Sequence, residues 1–425
     1  MRMRSPLGVL AVAAFSLAPA PTRAQESTRL EMAGLDQPVE ILVDHWGISH
    51  IYAETEHDLF FAQGWNAARD RLFQLELWRR QATGTVAEIL GERELQRDIG
   101  TRLFKFRRDL EQELNHYHDR GSQIIRAYVD GINAYIAQTE RDPSLLTVEF
   151  ELLGIRPGRW TPDVVLSRHQ GLLGNIGTEL SVGRRVAAIG ADRVKALSSF
   201  GPGDPLLELD PAVDGEALSE DILGIYDAFR GRVEFRPEDI VQAGRRGDAD
   251  AFALLEAASA EASSVVAYDP ERDIGSNNWV VDGSRSESGY PMMANDPHRA
   301  QGAPSLRYWV HLVGPGWNVI GGGEPSLPGV SIGHNEYGAW GLTVFATDGE
   351  DLYVYETNPS NPNEYRYRGT WEPMTVLTEE IPVKGRAPHT AELKYTRHGP
   401  VVYEDRDRNL AYAVRAAWME IGGAP

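Results

Sequence analysis

Three arrangements in the 425-residue chain hold residue types that could do chemistry. The first is Ser276 within Asp273-Ile-Gly-Ser-Asn-Asn-Trp279. Serine is a weak nucleophile at its own pKa and needs a base. A free α-amine titrates at about 8 and would sit on the same residue if the Gly275–Ser276 bond were cut. The Ser276 hydroxyl can make that cut by attacking the Gly275 carbonyl, since glycine permits the strained geometry. Gly-Ser opening a hairpin is also an ordinary turn, so the segment alone does not decide. The second arrangement, Gly329-Val-Ser-Ile-Gly333, formally matches a nucleophile elbow, with His389 or His398 downstream as a base for an esterase built on Ser331. An elbow needs a helix directly after its serine, whereas His334-Asn335 reads as a turn leading to another strand. The third, Asp348-Gly-Glu-Asp351, offers the oxygen donors that suit a hard cation, and equally describes a solvated acidic turn. His116 and His118 lack zinc-site spacing, and Gly321-Gly-Gly323 lacks the lysine and spacing of a phosphate loop.

The elements that position these groups change type along the chain. Val39 to Asp44 and Ile48 to Tyr52 read as strands around His45-Trp-Gly47. Thr55-Glu-His-Asp58 has the form of a capping box, after which Phe61, Trp65, Ala68, Leu72 and Leu75 recur on one helical face as core. Further helical stretches are expected from Leu110 to Ile136 and, beyond the breaks at Pro157 and Pro162, from Val164 to Leu197. From about Gly201 to Gly275 the texture turns to Pro/Gly clusters, acidic runs and the alanine-rich stretch Ala249 to Ala262, which resembles a linker more than core. Past Ser276 strands are expected at Trp279 to Val281, Met292 to Ala294, Tyr308 to Val313, Val319-Ile320, Trp340 to Phe345, Leu352 to Tyr355 and Leu410 to Trp418. Helices, spacer, then strands make an α+β protein.

Composition bounds the partners. The 42% hydrophobic content can fill a sizeable core, and 62 acidic against 42 basic residues, formally -20, repel phosphate backbones and anionic lipid. Nucleic acid is thereby set aside. The absence of cysteine removes disulfides, cysteine nucleophiles and thiolate metal sites together. Basic Met1 to Arg4, the apolar run Leu7 to Leu17 and small residues up to Ala24 read as an export signal, and no apolar run is long enough for a membrane span. A bacterial periplasm or the medium is the expected address.

Ser276-Asn-Asn-Trp279, Ala294-Asn-Asp-Pro-His-Arg299, Leu327-Pro-Gly-Val-Ser-Ile-Gly-His-Asn335 and Trp340-Gly-Leu-Thr343 follow one another in an order and spacing that resemble the penicillin-acylase family, which includes cephalosporin (glutaryl) and acyl-homoserine-lactone acylases. Upstream, Trp46-Gly-Ile-Ser-His-Ile-Tyr52 and Ala62-Gln-Gly64 to Arg71-Leu-Phe-Gln74 resemble its small-subunit pattern, so the likeness covers nearly the whole chain after the signal. The resemblance implies the four-layer αββα sandwich of N-terminal-nucleophile hydrolases. It also implies a precursor divided into a signal peptide (1–24), a helical small subunit (25–200), an excised spacer (201–275) and the N-terminal part of a strand-rich large subunit (276–425), the two subunits forming a heterodimer. Ser276 would be the nucleophile with its own amine as base, His298 would orient both, and Val344 would donate its N–H to the oxyanion. A structural calcium would be held among Glu179, Asp348, Glu350 and Asp351, and Leu173 would line the acyl pocket. Benzylpenicillin-type members carry glutamine where His298 stands, which points here toward aliphatic or dicarboxylic acyl chains. Family members run past the equivalent of Pro425, and the side chain giving a second oxyanion donor is expected there. Two rivals stay open: the Ser331 esterase, and a secreted binding homologue that never matures.

Overall fold

Thr55 opens the longest helix, as its sequence predicts. In the computed structural model, which describes residues 27–169, 174–198, 200, 203–263, 276–297, 303–343 and 348–423, Thr55 Oγ1 accepts from the Asp58 N–H at 3.0 Å and starts the helix Glu56–Thr83. The buried Asp58 carboxylate takes the Thr55 hydroxyl at 2.7 Å and the N–H groups of Asp36 and Gln37 at 2.8 and 2.9 Å, tying the approach to the first strand onto the helix start. The helix Gly121–Arg141 packs on it backbone to backbone. A Cβ on Gly64 would stand 2.0 Å from the Tyr128 carbonyl oxygen, and one on Gly131 1.9 Å from that of Phe61, so only glycine fits either position. The stretch expected as one helix from Leu110 is two, Leu110–Leu114 and Gly121–Arg141, because polar Asn115 to Arg120 present no apolar face. The next expected stretch holds Pro162–His169, Ile176–Ile189 and Ala191–Leu197. Among the described residues no helix is long and apolar enough to cross a membrane.

One buried carboxylate in this half titrates in an accessible range. Asp98, on the helix Leu95–Leu103, accepts from the N–H groups of Val86 and Ala87 at 3.0 and 2.7 Å. Burial pushes its carboxyl up to about 6 even so, against 3.8 for a free aspartate. The folded state therefore binds the proton more tightly than the unfolded chain. That contribution is complete below about pH 3.8 and is lost as pH rises through about 6. Relative to Asp98→Asn, which does not titrate, the parent is expected to lose roughly 3 kcal/mol of unfolding free energy between about pH 4 and about pH 6.5. Urea titrations at several pH values check this, and a pH-independent difference between the two proteins would refute it.

The strands, in chain order, are β1 (Val39–Val43), β2 (Ser49–Ala53), β3 (Asn277–Val281), β4 (Met292–Asp296), β5 (Tyr308–Gly314), β6 (Trp317–Gly323), β7 (Ile332–His334) and β8 (Ala339–Trp340). They continue as β9 (Glu350–Asn358), β10 (Asn361–Tyr367), β11 (Thr370–Pro373), β12 (Thr375–Ile381), β13 (His389–Thr396), β14 (Gly399–Asp405) and β15 (Leu410–Ala416). A six-stranded sheet runs β1-β2-β5-β6-β7-β8, a seven-stranded sheet runs β11-β10-β9-β15-β14-β13-β12, and β3 pairs with β4 alone. All described pairings are antiparallel except β2 with β5, where Ile51 lies opposite Leu312 in parallel register. Both of those side chains are fully buried, while Trp309 and Tyr52 on the opposite sheet face are exposed. The alternation of Tyr308 to Val313 dictates this split.

The seven-stranded sheet lays Leu393, Val402, Tyr412 and Val414 against Leu103, Phe104, Ile176 and Leu180 of the helical half. The segment that reads as linker joins the same core. Leu218, Ile222, Leu223, Tyr226, Val233, Phe235 and Ile240 are all buried. At roughly 1.5 to 3 kcal/mol for each side chain of this kind, their burial rivals the whole net stability of a typical domain, about 5 to 15 kcal/mol. Large apolar residues are few here, as the sequence says, and most of those between Leu218 and Ile240 are spent on packing.

Candidate active site

Ser276 stands immediately before β3, half-buried at the mouth of the β3–β4 hairpin. The register sets Asn277 opposite Asp296 and Asn278 opposite Asn295, so the strand that begins at the serine lies beside the Ala294 to Pro297 segment. A third segment closes on the pair. Asn295 Nδ2 donates to the carbonyl oxygens of Asn277 at 3.2 Å and Leu342 at 3.0 Å, and its Oδ1 accepts from Leu342 N–H at 3.2 Å. A Cβ on Gly341 would come within 2.7 Å of Asn295 Cγ and 2.8 Å of Asn278 Nδ2. Glycine at 341 is what lets Trp340 to Thr343 approach the serine strand. Asn295 carries no signal of this role in the sequence: nothing in an asparagine between alanine and aspartate announces a clamp across two segments.

The loop leading into that third segment is fixed from the helical half. Gln63 Nε2 donates to the Gly329 carbonyl oxygen and Gln63 Oε1 accepts from Gly329 N–H, both at 2.9 Å, and Tyr128 donates its hydroxyl to the Pro325 carbonyl oxygen at 2.6 Å. Asn335 Oδ1 accepts from the N–H groups of Tyr337 and Gly338, each at 2.9 Å, turning the chain from β7 into β8. Ser331 is followed by β7, a strand and not a helix, so the elbow geometry an esterase would need is absent there. His398 is engaged by Tyr355 and stacks on Tyr353 at 3.9 Å between ring centroids. Gly275, His298, Val344 and Leu173, singled out by the sequence, lie outside the described residues, as does the expected signal peptide.

The acidic residues form a second centre. Buried Glu350 receives four donors: the N–H groups of Asn175 and Ile176 at 3.0 and 3.2 Å, the Trp418 indole N–H at 2.9 Å, and the Tyr226 hydroxyl at 2.9 Å to each carboxylate oxygen. Its carboxylate thereby caps the helix Ile176–Ile189 and is not free to ligate a cation. Asn175 locks the adjoining loop, accepting from Gly349 and Glu350 N–H at 3.0 and 2.8 Å and donating to Asp348 Oδ1 at 2.7 Å. Although Glu179 is exposed as a whole residue, desolvation of its carboxyl by the surrounding protein, with Asp351, Asp348 and Glu350 adding to it, pushes that carboxyl up to about 7. Glu179, Asp348 and Asp351 are thus oxygen donors in one strongly negative neighbourhood, the chemistry of a hard-cation site. Their oxygens do not converge within 4.8 Å; the trio that does among the described residues is Asp36, His57 and Asp58, whose Asp58 carboxylate already serves the helix start.

A family model described as penicillin amidase matches residues 38–424. Over 394 residues the chain is 32% identical to the penicillin acylase 2 proenzyme of Pseudomonas sp. (strain SE83), a match covering 92% of this chain and 47% of that protein. Over 412 residues it is 27% identical to penicillin G acylase of Escherichia coli, covering 89% and 47%. Over 376 residues it is 30% identical to the acyl-homoserine lactone acylase QuiP of Pseudomonas aeruginosa, covering 87% and 40%. The chain spans less than half the length of these relatives.

Proposed function

Because the chain belongs to the penicillin amidase family, we propose that it is an amide hydrolase matured by its own Ser276. In the precursor the Ser276 hydroxyl attacks the Gly275 carbonyl, the acyl group shifts from nitrogen to oxygen, and water hydrolyses the resulting ester. The products are a carboxylate at Gly275 and a free amine on Ser276. In turnover, the Ser276 oxygen attacks the substrate amide carbonyl while its proton passes to that amine. The departing amine takes the proton, and water releases the acid from the acyl-enzyme. Val344 N–H would stabilise the oxyanion and His298 would orient the amine and hydroxyl. The observation that carries this reading is the Asn295 clamp, which ties the strand opening at Ser276 to the Trp340 to Thr343 segment leading to Val344.

The same reading makes the protein an exported heterodimer with the four-layer αββα architecture, acting on small acyl amides. The names of its relatives supply the first substrates to try, penicillins and N-acyl-homoserine lactones. The test is a denaturing gel of the purified protein, followed by N-terminal sequencing of each fragment. Two chains are expected, and the one that follows the cut should start Ser-Asn-Asn-Trp. An undivided chain that hydrolyses acyl amides would overturn the proposal.

Glu179, Asp348 and Asp351 would hold a calcium ion, whose contribution is charge compensation between the two halves and not catalysis. Saturating calcium is expected to raise thermal stability, by about 2.7 kcal/mol at a hundredfold excess over Kd. Asp351→Ala should abolish the increment in a melting experiment. A melt indifferent to both calcium and chelator would remove the ion from this account.

A further inference from the structure

The 201–275 segment is not uniform. Between Leu209 and Ile240 it is bound to both halves of the protein. Arg184 donates to the carbonyl oxygens of Leu218 and Glu220 at 2.6 and 2.7 Å, and Arg97 to those of Gly231 and Arg232, both at 2.6 Å. Arg93 pairs with the buried Asp239 at 2.6 Å, and Tyr226 supplies one of the four donors to Glu350. Beyond Ile240 the character changes: Val241, Ala243, Gly244, Arg246 and Gly247 are exposed, and a Cβ on Gly244 or Gly247 would meet nothing within 4 Å. The following helix, Ala249–Ser263, buries Ala251 and Leu255 but leaves Leu254 exposed.

Resting on the maturation reading above, we propose that the chain up to Ile240 is a permanent part of the small subunit and that excision is confined to residues beyond it, beginning with a hydrolytic cut in the exposed turn 242–248. That cut consumes one water and leaves a new carboxylate and a new amine, with no other reactant. A cut earlier in the segment would strip Tyr226 from the Glu350 carboxylate and open the core beneath the seven-stranded sheet. Tyr226 is then a positioning residue that holds Glu350, and through it the Asn175 loop, in the finished protein.

Two measurements test this. The intact mass of the small chain from matured protein should place its C-terminus at or after Ile240; an end between 200 and 239 would overturn the proposal. Independently, limited trypsin digestion of the unprocessed Ser276→Ala protein, read by mass spectrometry, should cut at Arg245 or Arg246 at least about 100-fold faster than at Arg230, Arg232 or Arg236, since sites within packed structure open only with the core. First cuts at Arg230 to Arg236 would overturn it equally. If the wild-type protein never divides, the maturation reading fails, and the trypsin pattern alone decides whether the segment up to Ile240 belongs to the body of the protein.

Discussion

Replacing Ser276 by alanine is expected to leave one uncut polypeptide with acyl-amide turnover down on the order of 10⁶-fold, the size of loss seen when a serine hydrolase loses its nucleophile. The two effects share one cause. The hydroxyl that cuts the Gly275 link is also the group that attacks substrate, and the amine that serves it as base exists only after the cut. A second variant separates these roles. A fragment from Ser276 onward produced with one extra residue ahead of the serine, co-expressed with the small fragment, keeps the hydroxyl but displaces the free amine, and is expected to lose most turnover per assembled molecule relative to the same fragment pair starting at Ser276. The measurements are a denaturing gel for division and a release assay for turnover. Two chains from the alanine variant, or full turnover from the extended one, would show that another group does the chemistry. Ser331 is a poor candidate for it, since a strand follows that serine where an elbow requires a helix.

Glu350→Ala is expected to cost at least about 4 kcal/mol of unfolding free energy. The substitution strips the partner from three buried donors, the Ile176 N–H, the Trp418 indole and the Tyr226 hydroxyl, and from the part-buried Asn175 N–H, and each stranded buried donor costs about 1 to 3 kcal/mol. Glu350→Gln keeps one acceptor oxygen but turns an NH₂ toward donors, so an intermediate loss is expected. Urea midpoints measured in chelator isolate this effect from any bound cation. A loss under about 1 kcal/mol for the alanine variant would mean that the four donors find other acceptors, and that this carboxylate does not hold the two halves together.

The sequence revealed some of these features through local rules and hid others that depend on distance. Thr55 and Asp58 were legible because a capping box is a signal four residues long, and Phe61 to Leu75 because a helical face repeats within a few turns. The strands from Asn361 to Asp405 went unread, since Glu, Lys and Arg on their outer positions break up the apolar alternation of an edge-rich sheet. Packing of Leu218 to Tyr226 was hidden for the opposite reason: sparse apolar residues look like linker until their partners on β13, β14 and β15 are known. At the site, Ser276 and its flanking asparagines stood out by type, but the clamp by Asn295 and the close approach at Gly341 are properties of three segments meeting. The Tyr226 and Asn175 contacts to Glu350 join residues more than 120 positions apart, and no periodicity reports them.

The parallel pairing of β2 with β5 has a consequence for how the molecule comes into being. Residues such as His50 and His311 meet across 261 positions of chain, and closing so long a loop is entropically costly and slow. During folding, the covalent thread between the two stretches keeps them near one another at a high effective concentration. Once the main-chain ladder has formed, that thread is no longer what keeps them together. Pieces severed afterwards should survive dilution as one particle, whereas the same pieces synthesised apart should reassemble slowly and in poor yield.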